Sequence, residues 1–114
     1  MIKIKRVYEA VDKADGHRFL VDRLWPRGIR KSSLSMDGWI KEVAPSTELR
    51  QWFNHDPAKW NEFRGRYFAE LASKPEAWEP VAEIQRHGTA TLLYSAKDIG
   101  HNHAKALMEF LKSH

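Results

Sequence analysis

The amino-acid sequence predicts a single α/β domain, a small sheet of about three or four strands covered by helices. Three observations carry that prediction. Apolar stretches near the N-terminus and at residues 89–95 read as strands. Between and after them, apolar residues recur at helical spacing. The chain has 114 residues, 42% hydrophobic and 30% charged, which fits one soluble domain with a real core.

The first strand is IKIKRVY, residues 2–8, where Ile2 and Ile4 alternate with Lys3 and Lys5. A polar turn with Asp15-Gly16 follows, then a second strand over 18–25 containing Phe19, Leu20 and Val21. The turn is short enough for the two strands to pair as a hairpin. In 36–43, Met36, Trp39, Ile40 and Val43 recur at i, i+3, i+4 and i+7, which favours a short helix over a strand. Pro45 stops it. Ser46 is the N-cap of a helix with Leu49, Trp52 and Phe53 inward. Asp56-Pro57 is an N-cap followed by a proline suited to the first helical position. The next helix carries the stripe Trp60, Phe63, Tyr67 and Leu71. A third helix covers 76–87, with Trp78, Val81 and Ile84 inward and Gly88 at its end. Thr89 to Ser95 is a strand covered on both faces, because Leu92, Leu93 and Tyr94 are consecutive. Asn102 caps a last helix with Ala104, Leu107, Met108 and Leu111 on its apolar face.

There are no cysteines, which excludes disulfides, thiolate catalysis and Cys-type zinc sites. No apolar run approaches a membrane span, and MIKIKRVYEA has no signal-peptide core, so the expected location is the cytoplasm. Net charge is +4, unevenly spread. Residues 1–31 hold nine Lys and Arg against four Asp and Glu; residues 32–114 hold ten against eleven. That excess prefers anionic partners.

The segment RFLVDRLWPRGIRK, residues 18–31, is the first candidate for function. Pro26 fixes its own φ and pushes Trp25 out of helical geometry, and Gly28 can take φ > 0. A stiff turn then projects Arg23, Arg27, Arg30 and Lys31. The plainer reading is a Trp-Pro corner with solvated arginines. The second candidate is the loop from Ser95 to His103, which leaves a buried strand and enters a helix. Ligands of open α/β sheets bind at such strand ends, and a helix start attracts anions. Lys97 adds charge there, and His101 and His103 can donate hydrogen bonds or move protons. The third is the corner Asn54-His55-Asp56, where Asp56 is explained as a cap and His55 is not. Trp39, Trp52, Trp60 and Trp78 read as packing residues, and Trp25 as the one suited to stacking on a ligand. His-x-His with Asp98 also admits a metal reading, although that pattern alone is weak. No Walker or GxGxxG pattern is present.

VDRLWPRGIRK (21–31), WIKEVAPSTELRQWFNHDPAKWNEFRGRYFAEL (39–71) and TLLYSAKDIGHNHAKAL (91–107) closely resemble the YeaO-like branch of domain-of-unknown-function family 488, bacterial and archaeal proteins. The resemblance covers nearly the whole chain and implies a fold more than a function. It places Arg23, Arg27, Asn54-His55-Asp56, Lys97-Asp98 and His101 in the family pattern. Longer relatives carry Cys-His-Arg where this chain has Asn102-His103-Ala104, so a mechanism built on that cysteine is not shared.

The expected site is therefore a cleft for a small anionic ligand, phosphorylated or not, in an enzyme or a sensor with no recognisable nucleophile and no identified cofactor. Arg23, Arg27, Lys97, Gly28, Trp25, Asn54, Ser95 and His103 would bind the ligand. His101 or His55 would move protons, and Asp22 or Asp98 would orient them. Two other readings stay open: nucleic-acid binding through the basic N-terminal face, and metal binding through Asp98, His101 and His103.

Overall fold

A computed structural model describes all of residues 1–114. Its sheet has four strands, β1 (Ile2–Arg6), β2 (His17–Leu20), β3 (Gly38–Trp39) and β4 (Ala90–Tyr94), in the order β1-β4-β2-β3. Every neighbouring pair is parallel. Four helices accompany it: α1 (Thr47–Phe53), α2 (Trp60–Ala72), α3 (Pro75–His87) and α4 (His103–Lys112). No helix is long and apolar enough to cross a membrane.

The central position of β4 follows from its sequence. All five of its residues are buried, as expected of a strand with a neighbour on each side and a layer on each face. Its alternation sorts two cores. Ala90, Leu92 and Tyr94 join Ile2, Phe19 and Val21 under the helices, against Phe63, Tyr67, Leu71, Leu107 and Leu111. Leu93 points the other way with Leu20 and Val7. That second face is covered by the segment 25–39, through Trp25, Ile29, Leu34, Met36 and Trp39, and not by an α-helix. Helix α2 contributes the predicted stripe, with Phe63, Tyr67 and Leu71 buried. The Tyr67 hydroxyl donates to the Val43 carbonyl at 2.5 Å, and burial raises the phenol's pKa well above its ordinary value.

Near the strand starts, the second face is held by ions. Asp15 is buried and accepts from Arg18 at 2.5 Å and from Lys5 at 3.0 Å. Burial alone would raise the Asp15 carboxyl, but the hydrogen bonds from Lys5, from the Asp12 amide and from Arg18 outweigh it and bring it to about 2. The Thr91 hydroxyl donates to the Asp15 carbonyl at 2.7 Å, tying this network to β4.

Three expectations are corrected. The β1–β2 hairpin does not form, because β4 inserts between the two strands and both run parallel to it. Residues 36–43 are not a helix. The amides of Asp37 and Ile40 donate to the carbonyls of Arg18 and Leu20, which makes β3 an edge strand, and a single 3-10 turn at Lys41–Val43 follows. The helical spacing of Met36, Trp39 and Ile40 therefore marks packing around a sheet edge. The second strand is also shorter than 18–25. The Val21 amide still donates to Leu93, but the Asp22 side chain, not its backbone, receives the Ser95 amide, and the chain turns away.

Candidate functional site

At the carboxyl ends of β2 and β4, the chain segments that leave the sheet enclose a cleft of about 660 Å³. Strand β2 delivers Asp22, Arg23, Trp25, Pro26 and Arg27. Strand β4 delivers Ser95, Lys97, Asp98, His101, Asn102 and His103. Helix α1 and its C-terminal corner add Arg50, Phe53 and His55, and Ala44, Pro45 and Phe63 supply an apolar wall.

Each group has a local reason for its place. Gly28 has φ +78°, the value the Trp-Pro turn needs, although Gly28 itself lies outside the lining. The Trp25 indole donates to the Ile29 carbonyl at 2.6 Å, and its ring meets Trp39 edge-on at 5.5 Å. The ring is thereby fixed in the cleft wall. Tyr8 donates to the Arg27 carbonyl, while Arg6 holds the carbonyls of Ser95 and Ala96, so strand β1 ties down both loops. Asn54 is the left-handed C-cap of α1, and His55 is left-handed too, φ 47° and 54°. The pair reverses the chain so that His55 lines the cleft and Asn54 does not. Asn102 caps α4 by accepting from the Lys105 amide, and its amide nitrogen donates to the Asp98 carbonyl. Both of its polar atoms are used.

Two acid–histidine pairs result. Asp98 accepts from the amides of Gly100 and His101, and its carboxylate lies 3.1 Å from His101 Nδ1. The Gly100 amide, opposed by some burial and helped by His101, lowers the Asp98 pKa. His101 stands edge-on to Trp60 at 5.4 Å and remains partly exposed. The second pair is deeper. Asp22 is 8% exposed, and its Oδ2 accepts from the Ser95 amide at 3.1 Å and hydroxyl at 2.6 Å. His103 Nε2 is 3.0 Å from the Val21 carbonyl and 3.4 Å from Asp22 Oδ1. A carbonyl only accepts, so Nε2 carries a proton. Burial lowers the His103 pKa from 6.5, against the opposing effects of Asp22 and the Val21 carbonyl. His103 is expected to titrate below 6.5 by proton NMR and to move lower still in Asp22→Asn, which removes a charge that raises it. A titration above 6.5 would contradict this geometry. Because its folded-state pKa is depressed, the unfolded chain takes up the proton first, and this contribution to stability falls as pH drops through 6.5.

Three buried side-chain atoms in the molecule have no hydrogen-bond partner: Asp22 Oδ1, Arg23 Nε and Arg50 Nε. All three residues line this one cleft. Buried polar atoms without partners are costly and uncommon, so their convergence is the strongest feature of the site. Arg50 was not among the residues singled out in the sequence. Its signal is its place three residues before Phe53, on the buried side of a short helix.

The metal set does not assemble. No three His, Asp or Glu side chains come together in a metal-holding arrangement, because His101 and Asp98 pair with each other while His103 turns to Val21 and Asp22. Four cations of the N-terminal face are engaged within the protein, while Lys13, Arg30 and Lys31 stay exposed. Lys3 and Lys5 donate to the carbonyls of Ala14 and Ala10, Lys5 and Arg18 bind Asp15, and Arg6 binds the 95–96 carbonyls.

Residues 1–114 match the family model described as the inactive DUF488-N3 subclade. The chain is 47% identical to the Escherichia coli protein named "Uncharacterized protein YeaO", over 98% of this chain and 97% of the relative. It is 38% identical to the Mycobacterium tuberculosis protein named "Uncharacterized protein Rv3073c", over 96% and 92% respectively. No solved structure matches it.

Proposed function

The chain belongs to the inactive DUF488-N3 subclade, and from that premise we propose that it binds a small dianionic ligand, a phosphate monoester, in the cleft without turning it over. The observation that carries this reading is the pair of buried guanidinium nitrogens, Arg23 Nε and Arg50 Nε, left without partners in one cleft. Each is a donor that an oxyanion satisfies through a charge-assisted bond. The balance of charge agrees. Four cations line the cleft, Arg23, Arg27, Arg50 and Lys97, against two carboxylates, Asp22 and Asp98. A phosphate monoester carries close to two negative charges at neutral pH. The start of α4 adds the positive end of a helix dipole.

Binding without turnover is favoured over catalysis by Asn102. The family resemblance matches this residue to a cysteine of longer relatives, and both its polar atoms are committed to capping and to Asp98. No other side chain in the cleft has the arrangement of an activated nucleophile. The Ser95 hydroxyl donates to the Asp22 carboxylate and not to a histidine nitrogen that would take its proton.

The test is a thermal-shift panel of inorganic phosphate, sugar phosphates, divalent metals and short oligonucleotides at two salt concentrations. A phosphate monoester at about a hundredfold over its dissociation constant stabilises by about 2.7 kcal/mol. The expected result is such a shift, retained at high salt. A shift with oligonucleotides alone, lost at high salt, would replace this reading by a nucleic-acid interface.

A further inference from the structure

We infer that the phosphate monoester held in the cleft carries, on its organic part, an O–H or N–H donor that Asp22 Oδ1 receives. This rests on the anion-binding reading and adds a second requirement to it.

Asp22 sits where β2 leaves the sheet, and it is more than nine-tenths buried. Its two oxygens are unlike. Oδ2 is satisfied twice by Ser95, through amide and hydroxyl. Oδ1 has no hydrogen-bond partner in the protein. The nearest basic group is His103 Nε2 at 3.4 Å, and that nitrogen is closer to the Val21 carbonyl, 3.0 Å away. A carboxylate oxygen only accepts, so whatever meets Oδ1 in the cleft must donate. The same oxygen repels the anionic end of a ligand, which is drawn to Arg23 and Arg50 instead. The residues that line the cleft thus carry both polarities, donors and an acceptor without hydrogen-bond partners, and one ligand answers both only if it has an oxyanion at one end and a donor elsewhere. A cleft of about 660 Å³ has room for a phosphate together with a polyol or aminoalkyl group. A site built to hydrogen-bond a donor rejects the analogue that lacks it, because its own buried group is then left unpaired.

The experiment uses matched pairs of phosphate monoesters, measured by calorimetry on the full chain. Glycerol 3-phosphate is compared with propyl phosphate, and phosphoethanolamine with ethyl phosphate. The first pair differs by O–H donors and the second by an N–H donor. In the wild type, at least one donor-bearing member is expected to bind tenfold or more tighter than its partner, and the pair that does so names the donor. In Asp22→Asn the ratio is expected to fall towards one, while affinity for the donor-free ester is held or rises, since a negative charge has gone. The wild-type ratios decide the matter even if the variant folds poorly. Equal affinities within both pairs would overturn this inference and leave the anion-binding reading standing. No binding of any of the four esters would overturn both.

Discussion

Arg50→Ala is expected to weaken binding of the tighter phosphate monoester by about tenfold to a hundredfold, the equivalent of about 1.5–3 kcal/mol for a hydrogen bond to a charged group. Its effect on the melting temperature of the ligand-free protein should be small or favourable. The reason is the same orphaned atom. Arg50 Nε is buried without a partner, so the folded protein carries a desolvation cost that alanine removes. A binding residue that burdens the fold shows this opposed signature, and a structural residue does not. Arg27 provides the contrast, because it is exposed at the rim. Arg27→Ala should cost about 1 kcal/mol of affinity or less, in line with solvent-screened charges. Calorimetry and melting curves on both variants check the pair. A large fall in melting temperature for Arg50→Ala with unchanged affinity would assign Arg50 to the fold.

Gly16→Ala is expected to be the most destabilising single-methyl change in the chain, by about 3 kcal/mol or more. Gly16 has φ +63°, which costs an alanine about 1–2 kcal/mol by itself. A Cβ there would also fall on the Thr89 carbonyl oxygen and lie 2.9 Å from Thr89 Cβ. The Thr89 carbonyl cannot retreat freely, since it accepts the His17 amide at 2.9 Å and so starts the β2–β4 pairing. Gly28 again provides the contrast. Its φ is +78°, but a Cβ there meets nothing within 4 Å, so Gly28→Ala should cost only the conformational term, about 1–2 kcal/mol. Denaturant melts of the two variants test the difference. Equal losses would show that the Gly16–Thr89 approach yields easily.

What was legible in the sequence is what local chemistry decides. Ser46, Asp56 and Asn102 were readable as caps, and each accepts the backbone amide that a cap should. The run Leu92-Leu93-Tyr94 was readable as a strand with two covered faces. What was not legible depends on contacts distant in sequence. Nothing local says that β4 lies between β1 and β2, so a short polar turn suggested a hairpin. The 36–43 segment has helical spacing, but its amides are claimed by the carbonyls of Arg18 and Leu20. At the site, the Asp22–Arg27 turn, the His55 corner and the 95–103 loop were each visible as polar interruptions, and the fold brings them to one cleft. Four of the nine cations of residues 1–31 are held by the protein itself. Lys3, Lys5, Arg6 and Arg18 are engaged by carbonyls and Asp15, and the cations left to the cleft come from the turn, from α1 and from the β4 loop.

The most direct test of the central claim is backbone amide chemical-shift mapping with increasing glycerol 3-phosphate or phosphoethanolamine, whichever binds tighter. The expected perturbations fall in three separate segments at once: 22–27, 50–55 and 95–103. They should saturate together, with one dissociation constant, because the three segments wall one cleft. Perturbations confined to the N-terminal lysines, or none up to millimolar ester, would contradict it.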